Sequence, residues 1–438
     1  MKVSNSCISA KDVAYICVHE VYLPAIAGHV PPGMVRALSA FLDFCYLVRH
    51  SVLNEETLDA IDMAVERFHQ ERAVFITTGV RVHLSLPRQH AMVHYRELIE
   101  LFGAPNGLCS SITESKHIRA VKEPWRRSNK FNALGQMLVT NQRLDKLAAA
   151  RRWFTERGML DGPLLPVGLE AMRVDIENEE GGAVDDDPAT YTVELASRPG
   201  ASVISIDTLL YQHIVCAVYG VSGAVADVAD RLGLQGLQEA IRRFLYDQLY
   251  PDAEIPGDRT DLCVCPLFQG KVRVFHSATA TFCAPSDQSG VGGMRREIIR
   301  ATPSWQGGPP RYDCVYVAKG GVETEGFRSL LVGRVCLFFS CVHAGHRYSC
   351  ALLDWFIPIA DEPDELTGMW IVVPEVDNNG RRVQSVVALD SVVRGAHLIG
   401  VYGREFIPVD LHFSESLDAF KAYYVNKYID HQANMLVF

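Results

Sequence analysis

No run of 18 or more apolar residues occurs in this chain, and a bilayer-spanning helix needs about that many. The N-terminus lacks a basic stretch leading into an apolar one, so no secretory signal is read there and an intracellular protein is expected. The twelve cysteines are scattered, and no C-x-x-C pair exists; Cys263 and Cys265, the closest two, are separated by one residue. That spacing excludes a zinc-ribbon framework, and a chain of 438 residues is large enough to fold without a disulfide scaffold. Cys336 and Cys350 lie in apolar runs, where a reduced thiol behaves as a small buried hydrophobe. G-x-S-x-G, H-E-x-x-H and a complete dinucleotide fingerprint are all absent, as are internal repeats and low-complexity tracts. The Gly-Val-Gly-Gly at 290–293 lacks the Lys-Ser/Thr of a phosphate loop and reads as a turn.

What is present is an uneven distribution of charge. The whole chain carries −10, yet from Ser115 to Arg157 eleven Lys/Arg stand against three Asp/Glu, a local +8. A cationic segment in an acidic protein suits a polyanion, because Lys and Arg bind phosphates by releasing condensed counterions. A solvated helix face is the alternative explanation of such a run. Within it, Lys116, Arg119, Lys122, Arg126, Arg127, Lys130, Arg143 and Lys146 are the candidate phosphate contacts. Trp125 is placed to lie against a base or sugar, or else in a helix–helix junction with cations at its rim. One acid, Glu114, precedes the segment in the first turn of a predicted helix. The helix dipole alone explains a carboxylate there, and ligation of a divalent metal beside a phosphodiester is the functional reading. His90 and His94, four apart, share a helix face and could hold zinc, but no third ligand follows by spacing; a pair of packed or hydrogen-bonding histidines is the favoured reading.

Apolar spacings of three and four predict helices over 34–48, 55–68, 87–102 and 130–157, with another beginning near Thr113 and stopping at Glu123 before Pro124. Val74 to Thr78 is a short β-branched run. Between Glu170 and Asp187 eight Asp/Glu meet a single Arg, which reads as an acidic linker. Segment 200–260 is weakly patterned apart from a helix over Leu234–Leu249. From Lys271 onward, β-branched and aromatic runs alternate with turn residues, among them the Asn379–Gly380 hairpin signal. A last helix is expected over Glu415–Asp430, with Phe420, Tyr423, Tyr424 and Tyr428 as its stripe. The expected divisions are 1–20, a helical block 21–160, the linker 161–200, a mixed region 201–330 and a β-rich domain 331–438.

VYLPAIAGHVP at 21–31, MVRALSAFLDFCYLVRH at 34–50, SLPRQHAMVHY at 85–95 and LFGAPNGLCSSITESKHIRAVKEPWRRSNKFNALGQMLVTNQRLDKLAAAR at 101–151 resemble the fungal Plavaka-type transposases, relatives of the CACTA-like cut-and-paste elements. Downstream, KVRVFHSATATF, GRVCLFFSC, TGMWIVVPE and SLDAFKAYYVNKYIDH resemble the C-terminal region of the same proteins. The resemblance implies an α+β chain: a helical block from the end of an RNase H-like transposase core, then a small β-rich, barrel-like domain with a C-terminal helix. It also implies a nuclear protein whose partners are transposon-end DNA and other transposase subunits, with no membrane role. In that family an acidic triad binds two Mg²⁺ or Mn²⁺ ions, and Glu114 stands where the third acid is expected. The strands bearing the first two catalytic Asp would precede Val21, and residues 1–20 do not match. Joined directly to Val21, Met1–Lys2 reads MKVYLPAI, so an in-frame retained intron over Val3–Glu20 is expected. The expectation is therefore the C-terminal part of a transposase, inactive alone, with a DNA-binding or interaction module and a non-functional remnant as alternatives.

Overall fold

Proline and asparagine set the first two helices of the computed structural model, which describes residues 21–105, 117–157, 159, 213–283, 294–305, 307–319 and 326–437. Pro32 opens α1 (Pro32–Leu47), where its missing N–H costs nothing. Asn54 caps α2 (Glu55–Glu71) by accepting the Thr57 N–H at 2.9 Å, and Glu55 and Glu56 complement the dipole in the first turn. Phe44, Leu58, Ile61, Val65 and Phe68 close the interface of this pair, joined by Met92 and by Ile99 of α3 (Tyr95–Phe102). The β-branched run at Val74–Thr77 forms one helical turn.

Two further helices, α4 (Glu123–Arg127) and α5 (Ala133–Glu156), lie in the second of two compact units. That unit spans Cys109–Pro188, and the first comprises Met1–Leu108 with Ala189–Phe438. The rest of the first unit runs β1 (His213–Ala224), α6 (Val225–Leu232), α7 (Leu237–Leu249), β2 (Lys271–Cys283), β3 (Met294–Thr302), β4 (Arg311–Tyr312) and β5 (Cys314–Ala318). It continues through β6 (Leu330–His343), β7 (His346–Pro358), β8 (Ile371–Pro374), β9 (Gln384–Ala388), β10 (Val392–Ala396), β11 (Leu398–Gly400), β12 (Tyr423–Val425) and α8 (His431–Val437).

The strands form one large antiparallel sheet that curls into a half-barrel, in the order β11-β12-β8-β7-β6-β2-β3-β4. β1 is added on β2, β9 on β7, and β5 joins β6 to β10. The fold is therefore α+β with a β-rich part. Its centre is the β6–β7 hairpin, whose Ala344–Gly345 turn has positive φ at both residues (49° and 82°), the geometry that matches strand twist. The Asn379–Gly380 turn closes as expected, with Asp377 Oδ1 accepting the Asn379 and Arg381 N–H groups at 2.8 Å. One face of β6 and β7 buries Val335, Phe338, Ala351 and Leu353. The other buries Leu337, Phe339, Cys350 and Leu352 under α6 and α7.

The expected helix over Glu415–Asp430 is not formed. Only Phe413–Glu415 makes a helical turn, and Tyr423–Val425 is a strand between β8 and β11. All three of its residues are buried: Tyr423 and Val425 enter one core and Tyr424 another. A strand buried on both faces has no polar alternation, so its aromatics imitate a helical stripe. The C-terminal helix starts instead after Asp430, whose Oδ1 accepts the Ala433 N–H at 2.8 Å.

The first helices and the last strand share a core. Leu23 and Val35 meet Met369, Tyr424 and Tyr428. Beneath them Asp43 is buried and accepts from Lys427 Nζ at 2.9 Å, from the Tyr428 hydroxyl at 2.7 Å and from Arg67. Burial lowers the Lys427 pKa, and burial with the Asp43 charge raises that of Tyr428. A second buried cluster holds α8 to the sheet: Arg394 grips Asp430 with two nitrogens at 2.8 and 2.7 Å, reaches Glu297 at 3.1 Å and lies 4.5 Å from the Phe282 ring centre.

Candidate nucleic-acid interface

In the second unit a π-helical turn, Ile118–Lys122, runs straight into α4. The stop expected at Glu123 does not occur. Pro124 falls in the first turn of α4, where no intrahelical donor is required of it, and the helix continues to Arg127. Ser128 ends it, its hydroxyl donating to the Trp125 carbonyl at 2.8 Å and accepting the Lys130 N–H at 3.2 Å.

The connection into α5 is tied by side chains. Asn129 Oδ1 accepts the Phe131 N–H at 3.0 Å and Gln136 Nε2 at 2.6 Å, while Gln136 Oε1 accepts the Asn129 N–H at 3.2 Å. Lys130 and Asn132 both take positive φ, 65° and 45°. That conformation is uncommon without glycine and requires surrounding bonds to hold it. Farther along, Asn141 Nδ2 donates to the Ala120 carbonyl at 2.8 Å, which joins the middle of α5 to the π-turn. The helix–loop–helix is thereby fixed by its own polar residues.

This frame presents Arg126, Arg127 and Lys130 to solvent at the junction, beside Trp125 (45% exposed) and Phe131 (81% exposed). The burial of Trp125 in a helix junction does not occur. Arg143 and Lys146 are exposed on α5, about 15 and 20 Å along the axis from its start at 1.5 Å per residue. Lys122 is half-buried. Arg119 lies in the π-turn. Glu114 and Lys116, like the acidic segment 161–200, lie outside the described residues. Phe131, expected on the apolar face of the 130–157 helix, lies ahead of α5 and is exposed; the Asn129–Gln136 brace was not singled out from sequence, and Asn129 and Asn132 flanking Lys130–Phe131 were the available signal.

His90 and His94 sit edge to face with ring centres 5.2 Å apart in the first unit. Among the described residues no three His, Cys, Asp or Glu gather as a metal site. No helix of the described residues is long and apolar enough to cross a membrane. No protein-family profile, curated protein or solved structure matches the chain.

Proposed function

We propose that this chain is a transposase-type protein that binds the backbone of duplex DNA through its second unit and does not cut DNA by itself. The observation that carries the reading is the braced junction with Arg126, Arg127 and Lys130 exposed beside Trp125 and Phe131, followed by Arg143 and Lys146 on the same helix. Guanidinium and ammonium groups held on a rigid frame contact phosphate with little ordering cost, and exposed aromatic rings lie against sugar or base. The likeness to Plavaka-type transposases supports transposon ends as the DNA, other transposase subunits as companions and the nucleus as the site of action. In that family Mg²⁺ or Mn²⁺ supplies the phosphoryl-transfer chemistry, and Glu114 would be one of the acids holding it. A lone carboxylate does not place two ions.

Affinity for a duplex oligonucleotide across a salt series tests the proposal. Five phosphate contacts predict a log–log slope of about −4.5, at roughly −0.9 per contact, and removing two of them in Arg126→Gln/Arg127→Gln reduces its magnitude by nearly two. Binding that ignores salt, or a slope the double variant leaves unchanged, would sink the reading. Mg²⁺-dependent nicking of matching terminal-repeat DNA, abolished by Glu114→Gln, would overturn the absence of cutting.

A further inference from the structure

The sheet of the first unit carries a polar row where apolar residues would be expected. Gln384 of β9, Asp354 of β7 and Arg334 of β6 lie directly opposite one another across three strands. Directly opposed residues share one face of a sheet. Next to them the β6 ladder shifts register between Val335 and Leu337, so that Cys336 is the extra residue of a bulge. Bulges re-aim side chains and are frequent beside binding sites. All four side chains line a cavity of about 250 Å³. Its walls include Leu232 at the end of α6, Leu234 just after it, His276 of β2, and Pro303 and Tyr312 of the β3–β4 hairpin.

The hydrogen-bonding character of the row is fixed. Gln384 Nε2 donates to Asp354 Oδ1 at 2.7 Å and to the Cys336 sulfur at 3.9 Å. Both amide hydrogens are thereby engaged, which leaves the Gln384 carbonyl as an acceptor. Burial and the Asp354 charge push the Cys336 thiol up, so it stays protonated and is no nucleophile. Arg334 gives one nitrogen to Asp418 at 2.8 and 2.9 Å, and a guanidinium has further donors. Across the strands the row therefore reads donor, acceptor, acceptor. Guanine presents the complement along one edge: the O6 acceptor, then the N1–H and N2–H donors. Adenine and cytosine each place an acceptor ring nitrogen beside their amino group, which would face a carboxylate or carbonyl unfavourably.

We infer that this cavity binds a single guanine base, as carried by a guanine nucleotide, against Arg334, Asp354 and Gln384. The site lies wholly in the first unit and is independent of the cationic helices.

Calorimetric titration of the full chain with GMP, IMP and AMP tests it. GMP should bind about tenfold or more tightly than AMP, with IMP, which lacks the N2 donor, between them. Asp354→Asn places an amide where the carboxylate accepted, and should erase the GMP preference while leaving the thermal melting cooperative. Equal binding of GMP and AMP, no binding of GMP at millimolar concentration, or a preference that survives Asp354→Asn each overturns the proposal. Single-stranded oligonucleotides with one unpaired dG or an abasic site in its place identify the source. Tighter binding than GMP that requires the dG means a nucleotide within a strand, and GMP binding alone means a free mononucleotide. Arg126→Gln/Arg127→Gln should leave GMP affinity unchanged, which separates this site from DNA backbone binding.

Discussion

α2 and α5 announce themselves in sequence by the same spacing, and they are built on opposite terms. In α2 the apolar residues fall in one stripe and disappear into a shared core; Ile61 is fully buried. In α5 they are spread around the axis, and Leu134, Leu138 and Leu147 remain 61–67% exposed. A 17-residue helix such as α2 is marginal alone and draws its stability from packing. The 24 residues of α5, rich in Ala, Leu, Gln, Lys and Arg, carry more propensity and present cations between the apolar side chains. One helix is held by its neighbours, and the other offers its surface.

That contrast breaks most visibly where the α1–α2 pair is anchored. Asp43→Ala leaves Lys427 and Tyr428 buried without their acceptor and should cost about 3–5 kcal/mol in urea unfolding of the full chain. The double change Asp43→Leu/Lys427→Met, which removes both charges, should recover most of that loss. A single variant that melts like the parent would show the pair to be unimportant. Ile61→Ala should cost about 2–4 kcal/mol by opening a cavity between α1 and α2. Asn54→Ala removes the α2 cap and should cost about 1 kcal/mol.

Acid acts more gradually and on the sheet side. Burial alone would raise Asp430, but the two bonds from Arg394 prevail and hold it below the ordinary carboxylate range. Its contribution is present above the unfolded pKa and is lost as pH falls through the folded one. Burial lowers His397. Because the unfolded chain then binds the proton first, stability declines as pH drops below about 6.5. Melting curves from pH 8 to 4 should show the decline, and His397→Gln should flatten its upper part. A profile unchanged by that substitution would contradict the assignment. The smallest effect belongs to α5: Leu147→Ala should stay within about 0.5 kcal/mol, and a loss approaching that of Ile61→Ala would mean that α5 is covered like α2.

The legible parts of the molecule are those whose physics is local. Helical spacing over Met34–Val48 and the Asn54 cap identified α1 and α2, and β-branched runs marked β2, β6 and β7. β1 was missed because His213–Ala224 mixes glycine and small residues with its valines. β12 was read as helix because Tyr423 and Tyr424 serve two different cores. The contact of Asp43 with Lys427 leaves no local trace, since 384 positions separate the two. The cationic residues at Arg126–Lys130 were visible as charge, whereas the brace that exposes them depends on Asn129 and Gln136 adopting one loop geometry. The cavity residues scatter from Leu232 to Gln384; Asp354 inside the apolar ALLDWF run was the one clue that a strand turned a charge toward something.

The buried Asp43 knot also sets a schedule for synthesis. At 5–20 residues per second the α1–α2 pair leaves the ribosome roughly 20–80 s before Lys427 and Tyr428 are made. Throughout that interval Asp43 has only Arg67 for company, and Leu23 and Val35 have no strand to lie against. The first-made helices therefore complete their fold last, in the same event that closes β12, so arrested translation would leave them as the protein's aggregation-prone segment.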